Sequence, residues 1–160
     1  MRHVLSVMVE NEPGVLSRVA GLFSGRGFNI DTLNVAPTLD SSVSLMTVTT
    51  IGDEQIIEQI IKQLRKLINV IKVVDMSDFQ VVEREGLLVK VNAAGEARTE
   101  ILRVADIFRC KIVDVSPDEL SIEATGTNDK LTAIINLLQR FGIKEIARTG
   151  PVAMRRSMQP

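Results

Sequence analysis

Tyrosine and tryptophan are absent from this chain, histidine and cysteine occur once each, and phenylalanine only five times in 160 residues. Each scarcity closes a route. A Ser-His-Asp or Cys-His triad would have to be built on His3, at the start of a strand, where the residue reads more simply as a strand-end polar group. One histidine and one cysteine far apart give no cluster with metal-ligand spacing, and no metal is expected. Cys110 has no second cysteine to pair with and follows a helix, so it reads as a small apolar filler. The few aromatic residues deny the chain the stacking platform of a sheet that binds single-stranded RNA, since Phe23, Phe108 and Phe141 fall on apolar helix faces.

Long apolar runs are missing too. None approaches the roughly 20 residues that cross a bilayer, and the N-terminus has no signal-peptide pattern. The expectation is a cytoplasmic protein with no membrane partner. The net charge is −1, with basic and acidic residues nearly balanced in both halves, so little draws the chain toward nucleic acid. Gly25-Arg26-Gly27 follows a helix instead of preceding one, which fits a helix C-cap and not a phosphate loop.

What is present is a globular composition, 45% hydrophobic, with one order of elements written twice. Val4 to Val9 reads as a buried strand, and Val15, Leu16, Val19, Ala20, Leu22 and Phe23 recur at helical spacing. Phe28 to Ala36 and Val43 to Ile51 form a hairpin around a turn-rich loop. Gly52-Asp53 caps a second helix with one apolar face, Ile56 to Ile68, and Val70 to Met76 closes the unit. The second half repeats this: strand 87–91, a helix carrying Ile101 to Phe108, strands 111–115 and 120–124 around Ser116-Pro117-Asp118, a helix carrying Leu131 to Phe141, and strand 143–147. The fold class is α+β: two ferredoxin-like βαββαβ sandwiches in tandem, at 1–78 and 87–160, with 79–86 as linker and 154–160 as a frayed tail. Domains this small bury only about 60% of their unfolded surface, so homodimerisation through the first is expected.

Asn11-Glu12-Pro13-Gly14-Val15-Leu16-Ser17-Arg18 is the most informative stretch. Pro13 suits the first helical position and Gly14 leaves the backbone bare, so unpaired N–H groups at a helix start face the loop, where a carboxylate gains roughly 0.3–1 kcal/mol. An ordinary strand-to-helix turn explains the same residues. The corresponding loop of the second half, Asn92-Ala93-Ala94-Gly95-Glu96, lacks the proline-glycine turn and is expected not to bind a ligand the same way.

Together with Gly21-Leu22-Phe23-Ser24, Arg26-Gly27-Phe28-Asn29-Ile30 and Val35-Ala36-Pro37, this stretch resembles an ACT regulatory domain. The resemblance narrows to the small subunits of acetolactate synthase through Gly52-Asp53-Glu54, Val82-Glu83-Arg84-Glu85, Leu88-Val89-Lys90-Val91, Ile107-Phe108-Arg109, Ile112-Val113-Asp114-Val115 and Ala147-Arg148-Thr149-Gly150. It implies a non-catalytic regulatory subunit. Its partner would be a large catalytic subunit dependent on thiamine diphosphate, Mg²⁺ and FAD, in branched-chain amino acid biosynthesis; no cofactor is expected in this chain. The small subunit of such an enzyme raises catalytic activity and confers feedback inhibition, usually by valine bound between two ACT domains.

Carried onto this chain, the effector site comprises Asn11, Pro13, Gly14, Val15 and Leu16 of one protomer and Asn29 and Ile30 of the other. N–H groups near Gly14 and Val15 would take the valine carboxylate, and the Asn11 and Asn29 amides with nearby carbonyls the ammonium. Val15, Leu16 and Ile30 would line the side-chain pocket, unless the two asparagines merely stabilise turns. Three rival readings remain: a free-standing ACT-domain sensor of another amino acid, an RNA-binding sandwich, and a stand-alone enzyme using Asp31 or Asp114.

Overall fold

The structure, a computed structural model, describes residues 1–157; residues 158–160 of the expected tail lie outside the described residues. The chain divides into two compact units, Met1–Val82 with the residues from Gly150 onward, and Glu83–Thr149. In the first, β1 (Arg2–Glu10), α1 (Val15–Gly25), β2 (Thr32–Pro37), β3 (Val43–Ile51), α2 (Glu54–Arg65) and β4 (Val70–Asp75) follow the expected βαββαβ order. The sheet runs β2-β3-β1-β4 and its neighbours are antiparallel.

Alternation along β1 decides its faces. Leu5, Val7 and Val9 join Met46 and Val48 of β3, Val19 and Phe23 of α1, and Ile57, Ile60 and Leu64 of α2 in one buried cluster. Twelve-residue α2 forms because its apolar residues recur at i, i+3 and i+7, and because Asp53 accepts the Ile56 N–H at 2.9 Å. Arg26 and Gly27 end α1, Gly27 at φ 72°, as the C-cap reading of Gly25-Arg26-Gly27 requires.

In the second half, β5 (Val81–Asn92), α3 (Ala97–Ile107), β6 (Lys111–Val115), β7 (Glu119–Gly126), α4 (Asn128–Leu138) and β8 (Ile143–Arg155) give the sheet order β6-β7-β5-β8. Leu87, Val89, Val91, Leu120, Ile122, Ile101, Leu131, Ile134 and Leu138 form its core. The repeat is therefore complete in topology.

Several boundaries differ from the sequence reading. The segment 79–86 is strand from Val81 onward, and the division between units falls inside β5 and again inside β8. Val81 falls on the odd-numbered face of Leu87, Val89 and Val91, and Val81 and Val82 are both β-branched, so the chain stays extended through the charged Glu83-Arg84-Glu85. Strand β8 runs to Arg155 instead of stopping at Ala147, which places Met154 in a strand and not in a frayed end. Conversely, β2 begins only at Thr32, because the left-handed Gly27 and the bond from the Phe28 N–H to the Phe23 carbonyl (3.0 Å) fold residues 27–31 back on the end of α1.

Candidate functional site

The loop after β1 is a tight turn set by two residues. Glu12, Pro13, Gly14 and Val15 form a type II β-turn: Pro13 supplies the fixed φ of its second position, Gly14 at φ 86°, ψ −10° the left-handed third, and the Val15 N–H reaches the Glu12 carbonyl at 3.4 Å. Helix α1 consequently starts at Val15 with Gly14 as its N-cap, and Pro13 stands one residue before the cap, not at the first helical position. Gly14 offers no side-chain capping bond, and the first turn holds no acidic residue. By contrast, Asp53 caps α2 and Thr127 caps α4, each with an acidic residue in the turn that follows. The start of α1 is thus a positive helix end with no side-chain anion or cap of its own.

The side chains expected at the site fall into three environments. Gly14, Pro13 and Asn11 are exposed, and a Cβ on Gly14 would meet nothing within 4 Å. Leu16 is 45% exposed, but Val15 is buried in the core of the first unit, so its side chain anchors the loop from beneath and its N–H serves the turn. Asn11 ties the loop to the β2–β3 connection: its N–H donates to the Ser42 carbonyl at 2.7 Å and its side-chain amide to the Ser41 carbonyl at 3.0 Å. Asn29 is exposed and donates to Asp31 at 3.0 Å, while its carbonyl accepts from the Thr50 hydroxyl at 2.8 Å; Ile30 is half-buried against the first core.

Register separates these two groups. Glu10, just before Asn11, pairs with Val43, whereas Thr32, two residues after Ile30, pairs with Thr49, six residues further along β3. At ~3.4 Å per residue that is about 20 Å along the sheet. One unit therefore does not bring Asn11 and Asn29 together. Strand β2, which Asn29 and Ile30 lead into, is an edge of its sheet, with Val35 41% exposed.

The equivalent loop of the second unit is built differently. Ala93 donates to the Asp118 carbonyl at 2.8 Å, as Asn11 does to Ser42, but Arg98 then spans the loop, donating to the carbonyls of Ala93 (3.0 Å), Ser116 and Pro117 (3.0 Å). A guanidinium thus makes the tie to the neighbouring turn that the Asn11 side chain makes in the first unit. Sequence reading missed Arg98, whose role depends on the Ser116-Pro117 turn folding back over it.

Elsewhere the single histidine and the single cysteine are packed into the two units. His3 is 4% exposed and its Nδ1 lies 3.0 Å from the Asp75 carboxylate, so it is a buried partner of β4 instead of a loose strand end. Cys110 is half-buried against the second core, and burial pushes its thiol pKa up. Asp31 accepts from Asn29, Asp114 lies on the exposed β6, and among the described residues no group of three or more His, Cys, Asp or Glu is gathered for a metal ion. Among the described residues no helix is long and apolar enough to cross a membrane. Shallow grooves lie on the sheets, among them one of about 520 Å³ beside Leu88, Lys90, Val113 and Glu145 and one of about 320 Å³ beside Met8, Leu45, Lys72 and Met154.

Residues 5–72 match the family described as the AHAS small subunit-like ACT domain, and residues 84–157 the family described as the small subunit of acetolactate synthase. An acetolactate synthase small subunit from Aquifex aeolicus is 53% identical over 98% of this chain and 82% of its own length. The chain belongs to the acetolactate synthase small-subunit family. Another small subunit, from Haemophilus influenzae, is 52% identical over 98% of this chain and 96% of its own. The crystal structure of the acetolactate synthase small subunit from Thermotoga maritima superposes with a TM-score of 0.88 at 43% identity, covering 98% of each chain. The two antiparallel sandwiches are thus the fold of this family, and the first unit is an ACT domain.

Proposed function

We propose that this small subunit is the non-catalytic regulatory partner of an acetolactate synthase catalytic subunit, raising its activity and making it sensitive to valine. The observation that carries the reading is the start of α1, a helix end with neither side-chain cap nor acidic first turn behind an open Pro13-Gly14 turn. A valine carboxylate would take the first-turn N–H groups around Gly14 and Leu16, where dipole and orphan donors both favour an anion. The ammonium would go to the side-chain oxygens of Asn11 and the partner's Asn29 and to nearby carbonyls. Leu16 and Ile30 would flank the isopropyl group, with Val15 as the floor of the loop.

The register supports a homodimer as the site-forming unit. Two sheets joined antiparallel at their β2 edges would lay the start of one β2, with Asn29 and Ile30, beside the end of the other, where Ser41 and Ser42 hold the Asn11 loop. Thiamine diphosphate, Mg²⁺ and FAD belong, on this reading, to the catalytic subunit. Valine can inhibit only by binding one arrangement of the complex more tightly than the other, so the catalytic subunit's state must reciprocally alter valine affinity. The alternative, a free-standing ACT-domain sensor, leaves the family match over residues 84–157 without a purpose.

Calorimetric titration with valine tests the site. Gly14→Asp has open space for its side chain, carries some backbone strain at φ 86°, where aspartate is disfavoured less than most residues, and sets a carboxylate against the effector's own. The parent dimer is expected to bind valine and the Gly14→Asp dimer to lose at least about tenfold in affinity, a factor of ~1.4 kcal/mol, with unchanged circular dichroism. Equal binding by both would contradict the site.

A further inference from the structure

Asn69 lies in the turn between α2 and β4 and is 7% exposed. Its main-chain carbonyl accepts the Glu10 N–H at 2.9 Å and its side-chain amide donates to Glu10 Oε2 at 2.9 Å. Its side-chain oxygen accepts from the Arg18 guanidinium. Glu10 is the last residue of β1 and Arg18 lies one turn into α1, so a single buried amide grips both ends of the Asn11–Ser17 segment.

We propose that Asn69 is a positioning residue for effector binding, holding the loop after β1 in the binding-competent arrangement without touching the effector. The inference rests on the regulatory reading above. An amide suits the place because it donates to a carboxylate and accepts from a guanidinium at once, and both bonds are charge-assisted. A loop held this way does not have to be ordered by the ligand, so affinity is not spent on fixing it.

The internal repeat supplies an independent comparison. In the second unit the same main-chain bond exists, from the Asn92 N–H to the Gly142 carbonyl at 3.0 Å, which makes Gly142 the counterpart of Asn69. Gly142 has φ 91°, and a Cβ there would meet Asn92 Nδ2 at 2.5 Å. Glu100, three residues into α3 as Arg18 is into α1, pairs at the surface with Arg140 instead, at 3.0 Å. The main-chain bond belongs to both sandwiches, and the side-chain grip accompanies only the one with the bare Pro-Gly turn.

Asn69→Asp tests this, because it keeps the acceptor for Arg18 but turns the donor facing Glu10 into a second carboxylate. Acetolactate formation by the catalytic subunit of the same organism, with this chain present, is measured against valine concentration. Asn69→Asp is expected to raise the half-inhibiting valine concentration about tenfold while leaving valine-free stimulation within about twofold of the parent. Adding Glu10→Gln lets the glutamine amide donate to the new carboxylate, so the double variant is expected to return to within about threefold of the parent. A merely structural role would lower stimulation and valine response together.

A folded Asn69→Asp chain with the parental half-inhibiting concentration overturns the inference. Should that variant not fold, Arg18→Met, on the exposed side of the same grip, is expected to give the same direction of change, and a parental value there overturns it equally. A parent complex that valine does not inhibit contradicts the functional reading, and the inference with it. Inhibition of the parent with unchanged variants contradicts the inference alone.

Discussion

Glu85 is 3% exposed, and both of its carboxylate oxygens are taken by Arg148, Oε1 by Nε at 2.8 Å and Oε2 by Nη2 at 3.0 Å. Arg148 also reaches Asn128 Oδ1 at 3.3 Å, which ties β5 and β8 to the start of α4. Such a pair is costly to break, because the remaining charge stays buried. Arg148→Met is expected to destabilise the chain by about 3 kcal/mol, with Glu85→Gln in addition restoring a good part of the loss. Urea unfolding followed by circular dichroism reads this, since the chain has no tryptophan or tyrosine to report by fluorescence. A loss below about 0.5 kcal/mol would show the pair to be no more than a surface bridge. The pairs Lys144–Glu119 at 2.6 Å and Lys90–Glu145 at 3.2 Å are of that weaker kind, although the first holds the Glu119 carboxyl below its usual range through the lysine's hydrogen bond. Nothing in the sequence distinguishes Glu85 from Glu83, since burial is decided by which strand crosses it.

Helices α1 and α2 carry the contrast in capping that the functional reading uses. In α2 the Asp53 cap, Glu54 in the first turn and Lys62 and Arg65 in the last all agree with the dipole, and Ile57, Ile60 and Leu64 are buried. Asp53→Ala is expected to cost about 1 kcal/mol, seen as a lower urea midpoint at unchanged slope; an unaltered midpoint would contradict the capping role. The start and buried face of that helix were legible, because local chemistry and the 3.6-residue period agreed, but its end was not: the helix stops at Arg65, and Ile68, read as part of the apolar face, lies beyond it and is exposed. The order of elements in both halves was legible for the same reason. The start of α1 was legible only in outline: Pro13 and Gly14 announced a turn, but whether they make the helix's first residue or a type II turn ahead of it depends on φ at Gly14. Arg98 and Asn69 were not legible, because each acts through carbonyls or side chains distant in sequence. The extent of β5 and β8 was hidden by charged residues that read as linker and by a tail whose strand needs the first unit to cover.

At the scale of the molecule, a duplicated sandwich has diverged around one loop. The first copy keeps an open, uncapped helix start gripped by Asn69, and the second spans the equivalent loop with Arg98. The account assigns effector binding to the first copy, completed by a second protomer, and catalysis to a separate subunit. Its most direct test is acetolactate formation by the catalytic subunit of the same organism, alone and with this chain, each with and without valine. The account predicts that the chain raises the rate and that valine reverses the gain only when the chain is present. An unchanged rate, from two proteins that also fail to associate, would contradict it.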